Sequence, residues 1–270
     1  MFDDIVVLRG GGDIATGIAH KLFRSGFKIL ILEIEKPTMV RRTVSFGDAI
    51  FNGQAKVEGA KAIRVYNIEE IFKAWSERCI PIIVDKKCEI LNEIEAKVLI
   101  DATLAKRNLG VHKGMAPITI GVGPGFNAGV DVDAVVETSR GHYLGKLIFQ
   151  GYAKPDTGVP GEILGYGRER VLKSPCDGII ENLLEIGDTV KKDQVVAYVN
   201  KEAVKASIDG VLRGLIKNKL QVKKGLKIGD IDPRGEKEYC FTISDKARAI
   251  GGAALEAILY LRMGCDEIGI

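Results

Sequence analysis

Apolar residues occur in short unbroken runs through the first half of the chain: IVVLR (5–9), KILILE (28–33), IPIIVD (80–85), KVLID (97–101) and ITIGVG (118–123). The runs do not alternate with polar residues. Each strand is therefore buried on both faces, as in a parallel sheet covered by helices. Between the runs the apolar spacing turns helical. Residues 13–25 place Ile14, Ile18 and Leu22 on one face, with Ala15, Ala19 and Phe23 beside them, and Gly26 ends the helix. Residues 68–78 and 88–95 also read as helices. The alternation predicts an α/β domain over residues 1–130, a Rossmann-like doubly wound parallel sheet.

Ligands of such sheets collect at the carboxyl ends of the strands. The first end carries Gly10, Gly11, Gly12 and Asp13, with Thr16 in the same helical start. Glycine lets a backbone approach a ligand closely, and a helix N-terminus favours an anion. In a G-x-G-x-x-G reading Ala15 takes the third glycine position, which a small residue satisfies. Asp13 departs from the nicotinamide pattern: it lies where a pyrophosphate would sit, or it caps the helix. The second end carries Glu33, 23 residues after Gly10, near the place where an acid grips a ribose hydroxyl. Arg41 and Arg42 follow, as phosphate ligands or as solvated loop charges. The third end is GVGPG (121–125), with Gly123 and Gly125.

Residues 131–170 form a connecting β segment. AVVE (134–137) and KLIFQG (146–151) flank TSRGHYLG, a turn bearing Ser139, Arg140, Gly141 and His142. Those groups suit an anion or a metal-bound oxo group; the plainer alternative is a wet hairpin tip.

The second half repeats itself at an offset of 32 residues. KSPCDGIIENLLEIGDTVKK (173–192) lies over KASIDGVLRGLIKNKLQVKK (205–224). Two copies of one strand–turn unit imply a small all-β module over 171–235, similar to the barrel-sandwich hybrids that carry biotinyl or lipoyl groups. The stretch where a carrier lysine would stand, YVNKEAVKAS, offers Lys201 and Lys205 without an M-K-M or D-K-A pattern. An unmodified structural or interaction module fits better. Residues 236–270 read as a strand and a closing helix, capped by Ser244 or Asp245, with Gly251 and Gly252 in its middle for close packing.

Composition narrows the function. The net charge is +3 over 270 residues, which gives no footprint for nucleic acid or membrane binding. The first residues carry no secretory pattern, and no apolar run reaches the ~18–20 residues of a membrane span. Five cysteines at irregular spacing, without C-x-x-C, point to a reducing cytoplasm and away from disulfides or structural zinc. Three histidines in no metal-binding spacing leave little for a zinc hydrolase. Cys176, before the Asp177–Gly178 turn, is a weak candidate for handling sulfur or selenium.

Taken in order, RGGGDIATGIAHKL, EIEKPTMVRRTVSF, GVGPGF, VVETSRGHYLGKLIFQG, GVPGEILGY, ERVLKSPCDG and CFTISDKARAIGGAALEAIL resemble the YqeB-type proteins of selenium-dependent molybdenum hydroxylase systems. These are related to the XdhC/CoxF maturation factors. The resemblance implies an accessory protein that binds a molybdopterin-type cofactor, as such or as its cytosine dinucleotide. It would serve insertion of the cofactor, or its sulfur or selenium maturation. The implied partners are a molybdenum hydroxylase apoenzyme and a sulfur or selenium transfer protein. Two other readings remain: an NAD(P)-dependent oxidoreductase, and a scaffold or carrier built on the repeat.

Overall fold

A computed structural model describes residues 4–264. The apolar runs form strands as the pattern predicts: β1 (Ile5–Arg9), β2 (Lys28–Glu33), β5 (Ile80–Val84), β6 (Val98–Asp101) and β7 (Ile118–Val122). A hairpin, β3 (Gln54–Val57) and β4 (Ala60–Arg64), joins them. Further strands are β8 (Asn127–Ala128), β9 (Ala134–Val136), β10 (Leu147–Ile148) and β11 (Gly151–Tyr152). Nine strands make one mixed sheet in the order β10-β9-β7-β6-β1-β2-β5-β4-β3. Its inner pairs are parallel, and β10 and β3 close the edges antiparallel. β8 and β11 form a separate pair.

α1 (Asp13–Arg24), α2 (Ala49–Asn52), α3 (Ile68–Ser76) and α4 (Asp245–Arg262) complete the elements. The helix expected over 88–95 is only a 3-10 turn, Glu89–Asn92. Cys88 before it sits at φ 60, a left-handed conformation that breaks a helical run. α3 seals one sheet face: Ile71 and Ala74 join Val7, Leu30, Leu32 and Leu99 in a core.

α1 and α4 pack closely. A Cβ on Gly17 would stand 2.6 Å from the Ala247 carbonyl oxygen, and one on Gly251 would stand 2.6 Å from the Gly17 oxygen and 3.3 Å from Lys21 Cβ. Only glycine permits that approach. Gly252, by contrast, faces open space. Farther along α4, Arg262 lies over the Phe27 ring, just past the end of α1. The two helices thus run the same way, and both begin at the carboxyl edge of the sheet. Ser244 caps α4 by accepting the Ala247 N–H.

The chain divides into two compact units, 1–35 with 46–157 and 243–270, and 36–45 with 158–242. The connecting segment up to 157 and the closing helix thus belong with the sheet. The second unit holds β12 (Val171–Lys173), β13 (Gly178–Asn182), β14 (Thr189–Val190), β15 (Val195–Val199), β16 (Glu202–Lys205), β17 (Gly210–Leu215), β18 (Gln221–Val222) and β19 (Lys227–Asp232). Two four-stranded antiparallel sheets result, β12-β19-β17-β14 and β16-β15-β13-β18. Exchanging each strand with its repeat mate turns one order into the other, which is the two-fold symmetry the sequence repeat implies. The matched turn acids act alike: Asp177 accepts the Lys224 N–H, and Asp209 accepts the Lys192 N–H.

Within this unit Asp230 pairs with Arg170 and Arg213, and Asp232 with Arg213 and Arg234. Asp230, Asp232 and Arg170 are buried. No helix among the described residues is long and apolar enough to cross a membrane.

Two stability experiments follow from the packing and the charges. Gly17→Ala should destabilise by about 1–3 kcal/mol through overpacking, whereas Gly252→Ala should stabilise by about 0.4–1 kcal/mol; urea unfolding reads both. Burial opposes ionisation of Asp230 and Asp232, but the facing Lys227, Arg213, Arg170 and Arg234 hold both carboxyls below the usual range. Their stabilisation is present above the unfolded value of about 3.9 and is lost as pH falls through the folded values. The urea midpoint should therefore drop steeply below about pH 4. Asp230→Ala should cost about 3–5 kcal/mol at neutral pH, because it leaves buried arginine uncompensated.

Candidate functional site

The glycine turn is built on β1. Gly10 sits at φ 100, and its N–H reaches the Leu32 carbonyl at 2.8 Å. Gly11 donates its N–H to Glu33 Oε2 at 2.7 Å, and its carbonyl accepts the Gly47 N–H at 2.7 Å. A Cβ on Gly11 would lie 2.8 Å from the Gly47 backbone. The glycine at this position thus admits another stretch of protein, not a ligand. Thr16 is fully buried; its hydroxyl accepts the Phe46 N–H at 2.8 Å and holds the same covering loop. Gly12 differs. It is the N-cap of α1, it supplies no side-chain cap, and a Cβ there would meet nothing within 4 Å. Asp13 is the first residue of the helix and not its cap.

Glu33 serves the turn itself. Its second oxygen accepts the Ile34 N–H at 2.8 Å, so both carboxylate oxygens engage backbone. Burial pushes its carboxyl above the usual range, and the N–H groups of Ile34 and Gly11 pull it partly back. The position expected to grip a ribose grips the glycine loop instead.

The strand order reverses between β1 and β6, where such sheets open a crevice. Here a buried ion pair lies across it: Arg9 Nη1 meets Asp101 Oδ2 at 3.0 Å. Arg9 also donates to the carbonyls of Lys86 and Leu109, and Asp101 accepts the N–H and hydroxyl of Thr103. Neither residue stands out in the sequence, except as a charge ending an apolar run. Gly123 and Gly125 sit at φ 82 and φ 111. A Cβ at Gly125 would come within 2.6 Å of the Arg107 backbone, and one at Gly123 within 2.8 Å of the Thr138 hydroxyl. Both glycines therefore admit neighbouring protein.

What gathers beside the α1 start comes from elsewhere. Arg140 makes a bidentate pair with Asp245, at 2.7 and 2.9 Å. Next to it in sequence is Lys246, in the first turn of α4. A cation there opposes the helix dipole, which is the one sequence signal that could have marked it. Burial pushes the Lys246 amine below the ordinary lysine range and Arg140 adds to that, while Asp13, Asp156 and Glu137 act against it. The buried Glu137 accepts the Ser139 and Lys154 N–H groups, fixing both ends of the loop that bears Arg140. Lys246, Arg140 and Asp13 thus share one neighbourhood. An oxyanion placed there would meet two cations and the uncapped start of α1.

The remaining expected residues lie apart from this cluster or make no contact with it. His142 is exposed and packs edge-on against Tyr143, with ring centres 4.9 Å apart, and Gly141 (φ 119) borders open space. Arg41 and Arg42 belong to the second unit. Arg41 donates to the carbonyls of Tyr239 and Thr242, and Arg42 to that of Leu215. They hold the 36–45 segment in place. Cys176 is half-buried, and burial with the neighbouring Glu202 raises its thiol. Burial likewise pushes the Cys88 thiol up to about 11. Such thiols are poor nucleophiles. Cys265 lies outside the described residues. Among the described residues no three His, Cys, Asp or Glu side chains group as a metal site.

The two inner glycines of the turn should separate experimentally. Gly11→Ala should destabilise by about 1–3 kcal/mol, and Gly12→Ala by about 1 kcal/mol or less, as a change of cap. Thermal unfolding with matched circular dichroism measures the difference.

No protein-family model matches the chain. Among solved structures, an aspartoacylase family protein from Mesorhizobium loti is 10% identical and aligns over 85% of each chain with a TM-score of 0.27. The ectoine utilization protein EutE from Ruegeria pomeroyi is 10% identical over 85% of each chain, with a TM-score of 0.26. Likeness at that level transfers no site. Sequence brings a nearer relative, the protein YqeB of Escherichia coli strain K12, 48% identical over 257 residues. The match takes in 95% of this chain and 48% of that protein, so the chain is similar over nearly its whole length to about half of YqeB.

Proposed function

We propose that the chain binds a phosphate-bearing cofactor of the molybdopterin class, as such or as its cytosine dinucleotide, and serves the maturation of molybdenum hydroxylases. The observation that carries this reading is the half-buried Lys246, set with Arg140 beside the uncapped start of α1. The motif resemblance and the similarity to YqeB support it. On this reading the sheet is a Rossmann-like platform and the second unit a barrel-sandwich-hybrid-like module for a hydroxylase or a sulfur or selenium donor.

The residues present fit a phosphate. The α1 start has no side-chain cap and leaves open space at Gly12, and Lys246 and Arg140 supply charge. Gly141 and His142, exposed on the loop that bears Arg140, would face the metal-bound oxygens on this reading. When bound, the cofactor carries the redox centre that a hydroxylase needs. This chain's part is to hold the phosphate, orient the ring system and release it. The oxidoreductase reading fits less well, because Glu33 and the Gly11 N–H satisfy each other.

Purified chain should bind molybdopterin or its cytosine dinucleotide, detected by mass spectrometry of released ligand. Lys246→Gln and Arg140→Gln should each weaken binding about tenfold, the loss of one charge-assisted contact. Folded protein that binds neither form would sink the proposal, and nicotinamide taken up in a fluorescence titration would favour the oxidoreductase.

One observation favours a second reading. Lys201 stands exposed in the tight turn between β15 and β16, the turn that joins the two repeats, with Asn200 at φ 54. An intact mass heavier than the bare chain, localised to Lys201, would establish a carrier.

A further inference from the structure

A concave site lies along the flank of α1, on residues that the reading above does not use. It encloses about 310 Å³ and is lined by Gly17, His20, Lys21, Arg24, Ser25, Ile243 and Arg248. Four of these are basic and one is a hydroxyl; Ile243 is the sole large apolar group. The volume is at the lower end of the roughly 300–1,000 Å³ of small-ligand sites, but the apolar lining usual for ring systems is missing. The lining suits a compact, highly charged ligand.

The charge balance gives the sign. Glu58 is the acid that faces this groove. Its carboxylate accepts the Ile243 N–H at 2.8 Å and the Arg248 guanidinium at 2.6 Å, and its carbonyl meets His20 Nε2 at 3.3 Å. Glu58 therefore offsets Arg248 and, more weakly, His20. Among the described residues no carboxylate pairs with Lys21 or Arg24. Two cations in the last turn of a helix are ordinary complements of its dipole. A groove that adds Arg248 from the facing helix, with His20 beside Lys21 on α1, is not explained by that.

The walls are also fixed in place. Glu58 is held at φ 43 and Gly59 at φ 88, the paired positive angles of a tight two-residue hairpin turn between β3 and β4. A glutamate in that conformation is strained, and its three contacts hold it there. The floor is Gly17, clamped against Ala247. His20 is buried and cannot swing away.

We propose that this groove binds a compact multivalent oxyanion of the phosphate or pyrophosphate class, held by Lys21, Arg24 and Arg248 with the Ser25 hydroxyl. The site is independent of the Lys246 cluster. The test is calorimetric titration of the full chain with pyrophosphate at low salt. In Lys246→Gln, where the other site is weakened, pyrophosphate should still bind one-to-one. Adding Lys21→Gln and Arg24→Gln, both exposed and without effect on packing, should weaken that binding at least tenfold. Amide shifts on pyrophosphate addition should centre on Gly17, His20 and Ser25. Equal affinity with and without the two substitutions would overturn the groove, as would no binding to the Lys246→Gln chain. Loss of binding on Lys246→Gln with shifts only at residues 12–14 would leave the cofactor proposal standing and remove this one.

Discussion

The contact of Gly17 with Ala247 and Gly251 organises the first unit. Two helices far apart in sequence meet where only glycines allow their backbones to touch. Because they run the same way, the starts of both lie at the carboxyl edge of the sheet. That is how Lys246 comes to stand beside Asp13, and how the wall bearing Ile243 and Arg248 comes to face His20 and Lys21. Both ligand sites proposed for this unit are by-products of one close crossing. At the start of α1 the helix dipole adds to the charge of Lys246 and Arg140.

The second unit rests on a different constraint. One apolar core joins its two short sheets, and the buried Asp230, Asp232 and Arg170 lie in the same unit. Such pairs add little net stability over apolar residues of the same shape, but they are costly to break. Asp230 and Asp232 lie on the same strand and share Arg213. That arrangement fixes which strands neighbour β19, where a repeated sequence would otherwise allow its two halves to exchange partners.

The strands and the two long helices were legible because their apolar spacing is produced by the same burial that forms them. Val7, Leu30 and Leu99 are buried where the unbroken runs place them. The repeat was legible because a duplicated unit has no choice but to show it. The site was legible only in part. Gly10 and Gly11 read as ligand-facing, since a turn that admits a phosphate and one that admits the backbone of Gly47 need the same residue. Arg41 and Arg42 read as phosphate ligands, because a sequence does not show which carbonyls a guanidinium will reach. Lys246 was passed over since its neighbours Glu137 and Asp13 are brought to it by tertiary packing. Arg9 and Asp101 were hidden for the same reason, each the polar end of an apolar run.

The division of the first unit between distant segments has a consequence during synthesis. More than 200 residues separate Arg24 from Asp245. At about 5–20 residues per second a ribosome needs roughly 10–40 s to cover that distance. Throughout that interval the sheet face that α4 will cover, with the bare glycine of α1, has nothing packed on it. The repeat module emerges meanwhile, and most of it is one continuous stretch. The nascent chain therefore carries a finished module and an unfinished sheet at once, and the sheet is the part that a holding chaperone would meet.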